Sequence, residues 1–138
     1  MIVDASVILS ALFPDENQAQ AQAVIRNHVA GQVVLCAPTL LHYELSNAVR
    51  QGVRRQRIDM GQAYTIMRTF DGLDIAQQPV AWEEMLSWGQ RFNRSAYDAA
   101  YLGLAAHRHE PLITGDLRLY HAVRADLDWV LWLGDYQA

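Results

Sequence analysis

Four carboxylates in this chain sit where a carboxylate could do chemistry: Asp4, Glu44, Asp98 and Asp116. Asp4 ends the apolar run that opens the sequence, and Asp116 follows Pro111-Leu112-Ile113-Thr114-Gly115, so both fall where a short buried strand gives way to a helix. Asp98 lies in the first turn of a nearly all-apolar helix capped by Ser95. Glu44 lies mid-helix beside the stripe Leu41, Leu45, Ala48 and Val49, and Asn47 shares its face three residues on. Each acid has a plain structural account. Asp4 and Asp116 could cap helices, Asp98 could reach back to the Ser95 amide as a capping-box partner, and Glu44 could be a satisfied buried acid. As a set they invite another reading. Carboxylates crowded in a low-dielectric cleft repel one another, and Mg²⁺ or Mn²⁺, which prefer oxygen ligands, relieve the repulsion. Such an ion activates water and steadies charge growing on a phosphoryl group.

The elements that must position these acids are legible in outline. Strands are expected at Met1–Asp4, Val33–Ala37, Leu73–Ala76 (weakly), Pro111–Thr114 and Asp128–Leu133. Helices are expected over Ala5–Leu12 (closed by Pro14), Asp15–Ala30, Thr39–Val53, Asp59–Phe70, Ala81–Arg91, Ser95–Arg108 and Leu117–Val123, with a loose polar end from Gly134. Short apolar strands separated by helices specify an α/β sandwich, three layers deep, around a short, mainly parallel sheet. No repeat, linker or shift in composition divides the 138 residues, so residues 1–138 read as a single domain. In open parallel sheets ligands bind beyond the carboxyl ends of the strands, where Asp4 and Asp116 fall and toward which Asp98 could point.

Composition removes several alternatives. All eleven cationic side chains are arginine, so there is no lysine for a Schiff base or a P-loop, or to partner a phosphoryl-acceptor aspartate. The net charge of −4 argues against broad, non-specific nucleic-acid binding, although the four acids account for all of it. The single cysteine, Cys36, precludes an internal disulfide and reads as a small buried residue in a reducing compartment. His107 and His109, two apart near a helix end, do not share a face, and His42 reads as an ordinary polar residue. No basic segment leads into a long apolar run and no stretch has membrane length, so the expectation is a soluble, cytoplasmic protein.

Four segments then carry a resemblance. Val3-Asp4-Ala5-Ser6-Val7, Glu44-Leu45-Ser46-Asn47-Ala48, Tyr97-Asp98-Ala99-Ala100-Tyr101 and Leu112-Ile113-Thr114-Gly115-Asp116 resemble, in order and spacing, the acidic segments of PIN-domain nucleases, in particular VapC-type toxins of toxin–antitoxin pairs. The resemblance implies a PIN-like fold and Mg²⁺- or Mn²⁺-dependent endonucleolytic cleavage of RNA. Asp4, Glu44 and Asp98 would be the core metal-binding acids, and Asp116 a fourth that acts through water. Ser6 and Thr114 would offer hydroxyls to the metal's water shell or to a phosphate, and Asn47 would line the site. The implied partners are the RNA, a second copy of the chain and a cognate antitoxin. Phosphate contacts would fall to arginine, with Arg50, Arg54, Arg55 and Arg57 as one candidate patch and Arg91 and Arg94 as another. Trp129 and Trp132 read as core or dimer packing. Two rivals remain open at this stage, a non-catalytic RNA- or protein-binding module of the same fold and a metal-dependent phosphatase.

Overall fold

A computed structural model describes residues 1–138. Five strands form one sheet in the order β3-β2-β1-β4-β5, and every neighbouring pair runs parallel. The strands are β1 (Ile2–Val3), β2 (Cys36–Pro38), β3 (Ala76–Gln78), β4 (Leu112–Thr114) and β5 (Val130–Trp132). Between them run α1 (Ala5–Leu12), α2 (Ala19–Val29), α3 (Leu40–Arg54), α4 (Met60–Gly72), α5 (Trp82–Phe92), α6 (Ala96–Arg108) and α7 (Leu117–Val123). The result is a three-layer α/β/α sandwich, and its sheet is wholly rather than mainly parallel.

The central strand β1 is two residues long, yet Ile2 and Val3 are fully buried, as are Leu112 and Ile113 beside them on β4. Such brief strands hold because both faces of the sheet are covered and apolar burial replaces pairing length. Helix α6 lies against β1, β2 and β4, and its stretch from Ala99 to Ala105 is buried without interruption. Helix α5 then packs on α6. Gly103 permits the approach, since a Cβ there would stand 3.3 Å from Glu84 Cβ and 3.4 Å from Trp88 Cδ1. Around α3 and α4 a smaller cluster of Phe13, Val49, Ile58, Ala63 and Ile66 forms a second centre of packing.

Several boundaries differ from the sequence expectation, among them β2, which starts at Cys36 rather than Val33, and α4, which ends at Gly72 rather than Phe70; three other differences have a visible cause. Helix α2 starts at Ala19 rather than Asp15, because Asn17 adopts φ +40° and the amides of Glu16 and Asn17 fold back on the Phe13 carbonyl. Strand β3 starts at Ala76 rather than Leu73, because Asp74 has φ +52° and breaks the extended backbone. The C-terminal end is not loose. Leu133–Asp135 forms a 3₁₀ turn with Leu133 buried, Tyr136 packs on the main core, and its hydroxyl accepts a 2.8 Å hydrogen bond from Asn27 Nδ2. Trp129 packs edge-on against Trp88, and Trp132 lies against Tyr120. No helix is long and apolar enough to cross a membrane.

Helix α6 is the element that clamps the middle of the molecule. Leu102→Ala, at a fully buried position on it, is expected to cost about 2–5 kcal/mol. A urea titration with unchanged slope checks this, and a loss below about 0.5 kcal/mol, the ordinary surface range, would mean that α6 is not tightly clamped.

Candidate active site

Asp4 follows β1 directly and precedes α1, but its side chain makes no cap hydrogen bond. Its carboxylate is instead nearly out of water, 7% exposed. Oδ2 accepts from Ser6 Oγ at 2.6 Å and from Thr114 Oγ1 at 2.8 Å. Each hydroxyl has its own proton committed, because each also accepts from a backbone N–H, Gly115 to Ser6 Oγ at 2.9 Å and Asp116 to Thr114 Oγ1 at 3.0 Å. Two short relays thus carry partial positive charge from the β4–α7 connection onto Asp4.

The other acids converge from three helices. Glu44, on α3, accepts on Oε1 from the buried Tyr101 hydroxyl of α6 at 2.7 Å. Asp98, on α6, receives both Nε and Nη2 of Arg94 on Oδ2, each at 3.0 Å. Only half of the expected capping box is present there, since Ser95 Oγ accepts from the Asp98 amide while the Asp98 carboxylate turns to Arg94. Asp116 does cap α7, its Oδ1 accepting from the amides of Arg118 and Leu119. A common pattern links the four. Each commits one carboxylate oxygen to the protein and leaves the other without a protein partner. No buried polar side-chain atom in the molecule lacks a partner, so the free oxygen of Asp4 is not sealed away.

The carboxylates feel one another. Burial raises the Asp4 carboxyl above its usual range against the pull of the Ser6 and Thr114 hydroxyls, and the charges of Asp98 and Asp116 raise it further. Burial pushes Glu44 up to about 7, opposed by the Tyr101 hydrogen bond and reinforced by Asp4 and Asp98. Asp98 is raised by burial despite Arg94, with Asp116 adding to the rise. Tyr101 is held well above its ordinary value by burial and by the Asp4 and Glu44 charges, so it remains a donor. An all-oxygen donor set with mutual repulsion suits Mg²⁺ or Mn²⁺ in its chemistry. As the side chains stand, no three of the chain's Asp, Glu, His or Cys groups close around a common point.

Glu44 and Asn47 also line an open cavity of about 440 Å³ with Leu40, Tyr43 and Tyr97. The arginines fare unequally. Arg50, Arg54 and Arg55 are exposed along α3 and its end, and none of them forms an ion pair. Arg57 is occupied, paired through Nε and Nη2 with Asp15 and stacked 4.6 Å over Phe13. Arg91 lies over Phe92 and Trp88, and Arg94 serves Asp98 rather than standing free. Sequence reasoning assigned Arg94 to phosphate rather than to Asp98 and gave Tyr101 no role of its own. Arg94 stands four residues before Asp98, the spacing of a helical ion pair, and Tyr101 is a polar tip three residues after Asp98 on an otherwise apolar helix.

Comparison with known proteins places the chain in a family. The sequence profile of the PIN domain matches residues 1–125, and the fold is shared with PAE2754 from Pyrobaculum aerophilum, whose crystal structure superposes with a TM-score of 0.74 at 20% identity, covering 96% of this chain and 90% of that one. The chain belongs to the PIN-domain family. Within the family it is 34% identical to VapC ribonuclease Mb0985 of Mycobacterium bovis, across 86% of this chain and 87% of the relative. It is 30% identical to ribonuclease VapC1 of Mycobacterium tuberculosis, across 86% of each chain.

Two outcomes test the site as described. Thr114→Val removes one of the two hydroxyls on Asp4 and strands the Asp116 amide, so it should cost about 1–3 kcal/mol of folding stability in denaturant titration; a neutral change would show the relay to be dispensable. The second concerns pH. A carboxyl raised on folding binds its proton more tightly in the native state, so its stabilising contribution is present below the unfolded value and lost as pH rises through the folded one. For Glu44 that window runs from its ordinary value, 4.5, up to about 7. Metal-free protein should therefore melt higher near about pH 5.5 than near about pH 8, and Glu44→Gln should flatten the difference. An unchanged pH slope in Glu44→Gln would remove Glu44 as its source.

Proposed function

We propose that this protein is a Mg²⁺- or Mn²⁺-dependent endoribonuclease, a VapC-type toxin that works as a homodimer and is held in check by a cognate antitoxin. The observation that carries the reading is the set of four carboxylates at the carboxyl edge of the sheet, each with one oxygen left over, in a chain similar to VapC ribonucleases. In this account Asp4, Glu44 and Asp98 supply the metal ligands and Asp116 acts through water from the end of α7. When bound, the ion supplies an activated water and neutralises charge on the phosphoryl group under attack.

The protein's own residues do the rest. Ser6 and Thr114 fix Asp4 in one rotamer, so that its free oxygen keeps a constant position. Tyr101 does the same for Glu44 from the opposite helix. Arg94 holds Asp98 and offsets its charge while no cation is present. Outer partners of this kind orient ligands and are worth about 10- to 100-fold in metal affinity. The exposed Arg50, Arg54 and Arg55 supply phosphate contacts along α3.

Titration with Mn²⁺ followed by thermal melting, alongside cleavage of RNA, tests the proposal. Wild type should gain stability with metal, by about 2.7 kcal/mol at a hundredfold excess over Kd, and should cut RNA only with metal present. Asp98→Asn should lose the metal-induced shift, and its cleavage should fall by at least about 100-fold, beyond what outer partners alone contribute. RNA binding by wild type without any metal-dependent cleavage would replace this reading with that of a non-catalytic module. Hydrolysis of a small phosphomonoester in place of RNA would replace it with a phosphatase.

A further inference from the structure

The cavity beside Glu44 has a chemistry of its own. Tyr43 is 75% exposed and Tyr97 66% exposed, the two most exposed aromatic side chains in the molecule. Neither hydroxyl hydrogen-bonds to the protein, and apart from an edge contact of Tyr43 with the neighbouring His42 neither ring is packed on another. Neither side chain belongs to either hydrophobic cluster of the core. Both nevertheless line one open space of about 440 Å³ together with Leu40, Asn47 and Glu44.

Three observations select the occupant. The wall includes Glu44, so whatever fills the cavity lies directly beside the acid cluster. No arginine lines it, and its one charged residue is an acid, so it does not receive a phosphate. What remains is an apolar, π-rich surface with one carboxamide, and its volume falls within the 300–1,000 Å³ typical of small-ligand sites. Aromatic faces take any nucleobase by stacking, and a carboxamide both donates to and accepts from a base edge.

We propose that this cavity is a nucleobase subsite, in which Tyr43 and Tyr97 stack on an unpaired base next to the scissile phosphate and Asn47 reads that base's edge. The inference rests on the ribonuclease reading above and adds to it the form of the substrate. A base can enter the cavity only if it is not paired within a duplex, so the RNA is cut in single-stranded segments or loops. Phosphates follow the exposed arginines of α3 outside the cavity while the base turns inward.

The experiment uses a randomised single-stranded RNA pool with Mn²⁺, and compares wild type with Tyr43→Ala, Tyr97→Ala, Tyr43→Phe and Tyr97→Phe. Each alanine variant should lower kcat/KM by about 5- to 150-fold, the range that loss of one base stack represents. Each phenylalanine variant should restore the rate relative to alanine, since the face and not the hydroxyl does the stacking. The thermal shift with Mn²⁺ should match wild type in all four, and the same pool annealed to its complement should resist cleavage. Alanine variants that cut as fast as wild type would overturn the subsite and leave the ribonuclease intact. So would a loss that phenylalanine does not rescue, or cleavage of duplex as fast as of single strands. Light scattering covers the remaining case: a dimer that falls apart in the alanine variants would assign this face to a second copy of the chain and overturn the inference. Wild type that cuts no RNA with metal would bring down the ribonuclease reading and the subsite with it.

Discussion

The arrangement depends on one buried charge. Asp4 is placed at the carboxyl end of the central strand, where the sheet and its covering helices leave it 7% exposed. An isolated carboxylate in such a place costs several kcal/mol, and the protein answers it with two hydroxyls whose protons have nowhere else to point. Those hydroxyls come from α1 and from the end of β4, so the site bridges the strand pair β1–β4, which is itself joined by backbone hydrogen bonds. Gly115 sits in that junction, where a Cβ would stand 3.2 Å from Leu133 and 3.4 Å from Ser6 Oγ. The β4–α7 connection can approach Asp4 because that position carries no side chain.

Around this anchor the acids are supported one oxygen at a time. Tyr101 takes one oxygen of Glu44, Arg94 one of Asp98, and the amides of α7 one of Asp116. The remaining oxygens leave the cluster electrostatically unsettled, with Asp4, Glu44 and Asp98 all raised above their usual ranges. A structural role alone would be served better by a neutral side chain at several of these positions. In the proposed ribonuclease, a bound cation would relieve this mutual repulsion. The same economy marks the surface beside it, where Tyr43 and Tyr97 stay exposed next to Glu44 rather than joining the core.

Much of the fold could be read from local pattern. The expected α7 boundaries coincide with the observed ones, and α1, α3, α5 and α6 agree to within a residue or so at each end, because apolar periodicity and caps such as Ser95 act over a few residues. Two of the segments that misled are ones in which a residue leaves the ordinary backbone regions. Asn17 and Asp74 both adopt positive φ, and each moves the start of an element by several residues. The C-terminal end misled for a different reason. Its order comes from Leu133 and Tyr136 packing on a core assembled elsewhere, and from Asn27, which lies 109 residues earlier in the chain.

The site divides along the same line. The sequence alone singled out Asp4, Glu44, Asp98 and Asp116 as candidates, because each sits in a short segment whose strand-end or helical position is set by its neighbours. It also determined the parallel α/β class, which follows from alternating apolar strands and helices. Only the tertiary structure decided what each carboxylate does with its oxygens. Thr114 reaches Asp4 across 110 residues and Tyr101 reaches Glu44 across 57. It also decided that Asp98 turns to Arg94 rather than to the Ser95 amide, and that Arg57 is occupied by Asp15 rather than open to phosphate. Propensity and periodicity describe how a segment folds on itself. Which polar group meets which is settled by burial, once packing has removed water as the alternative partner.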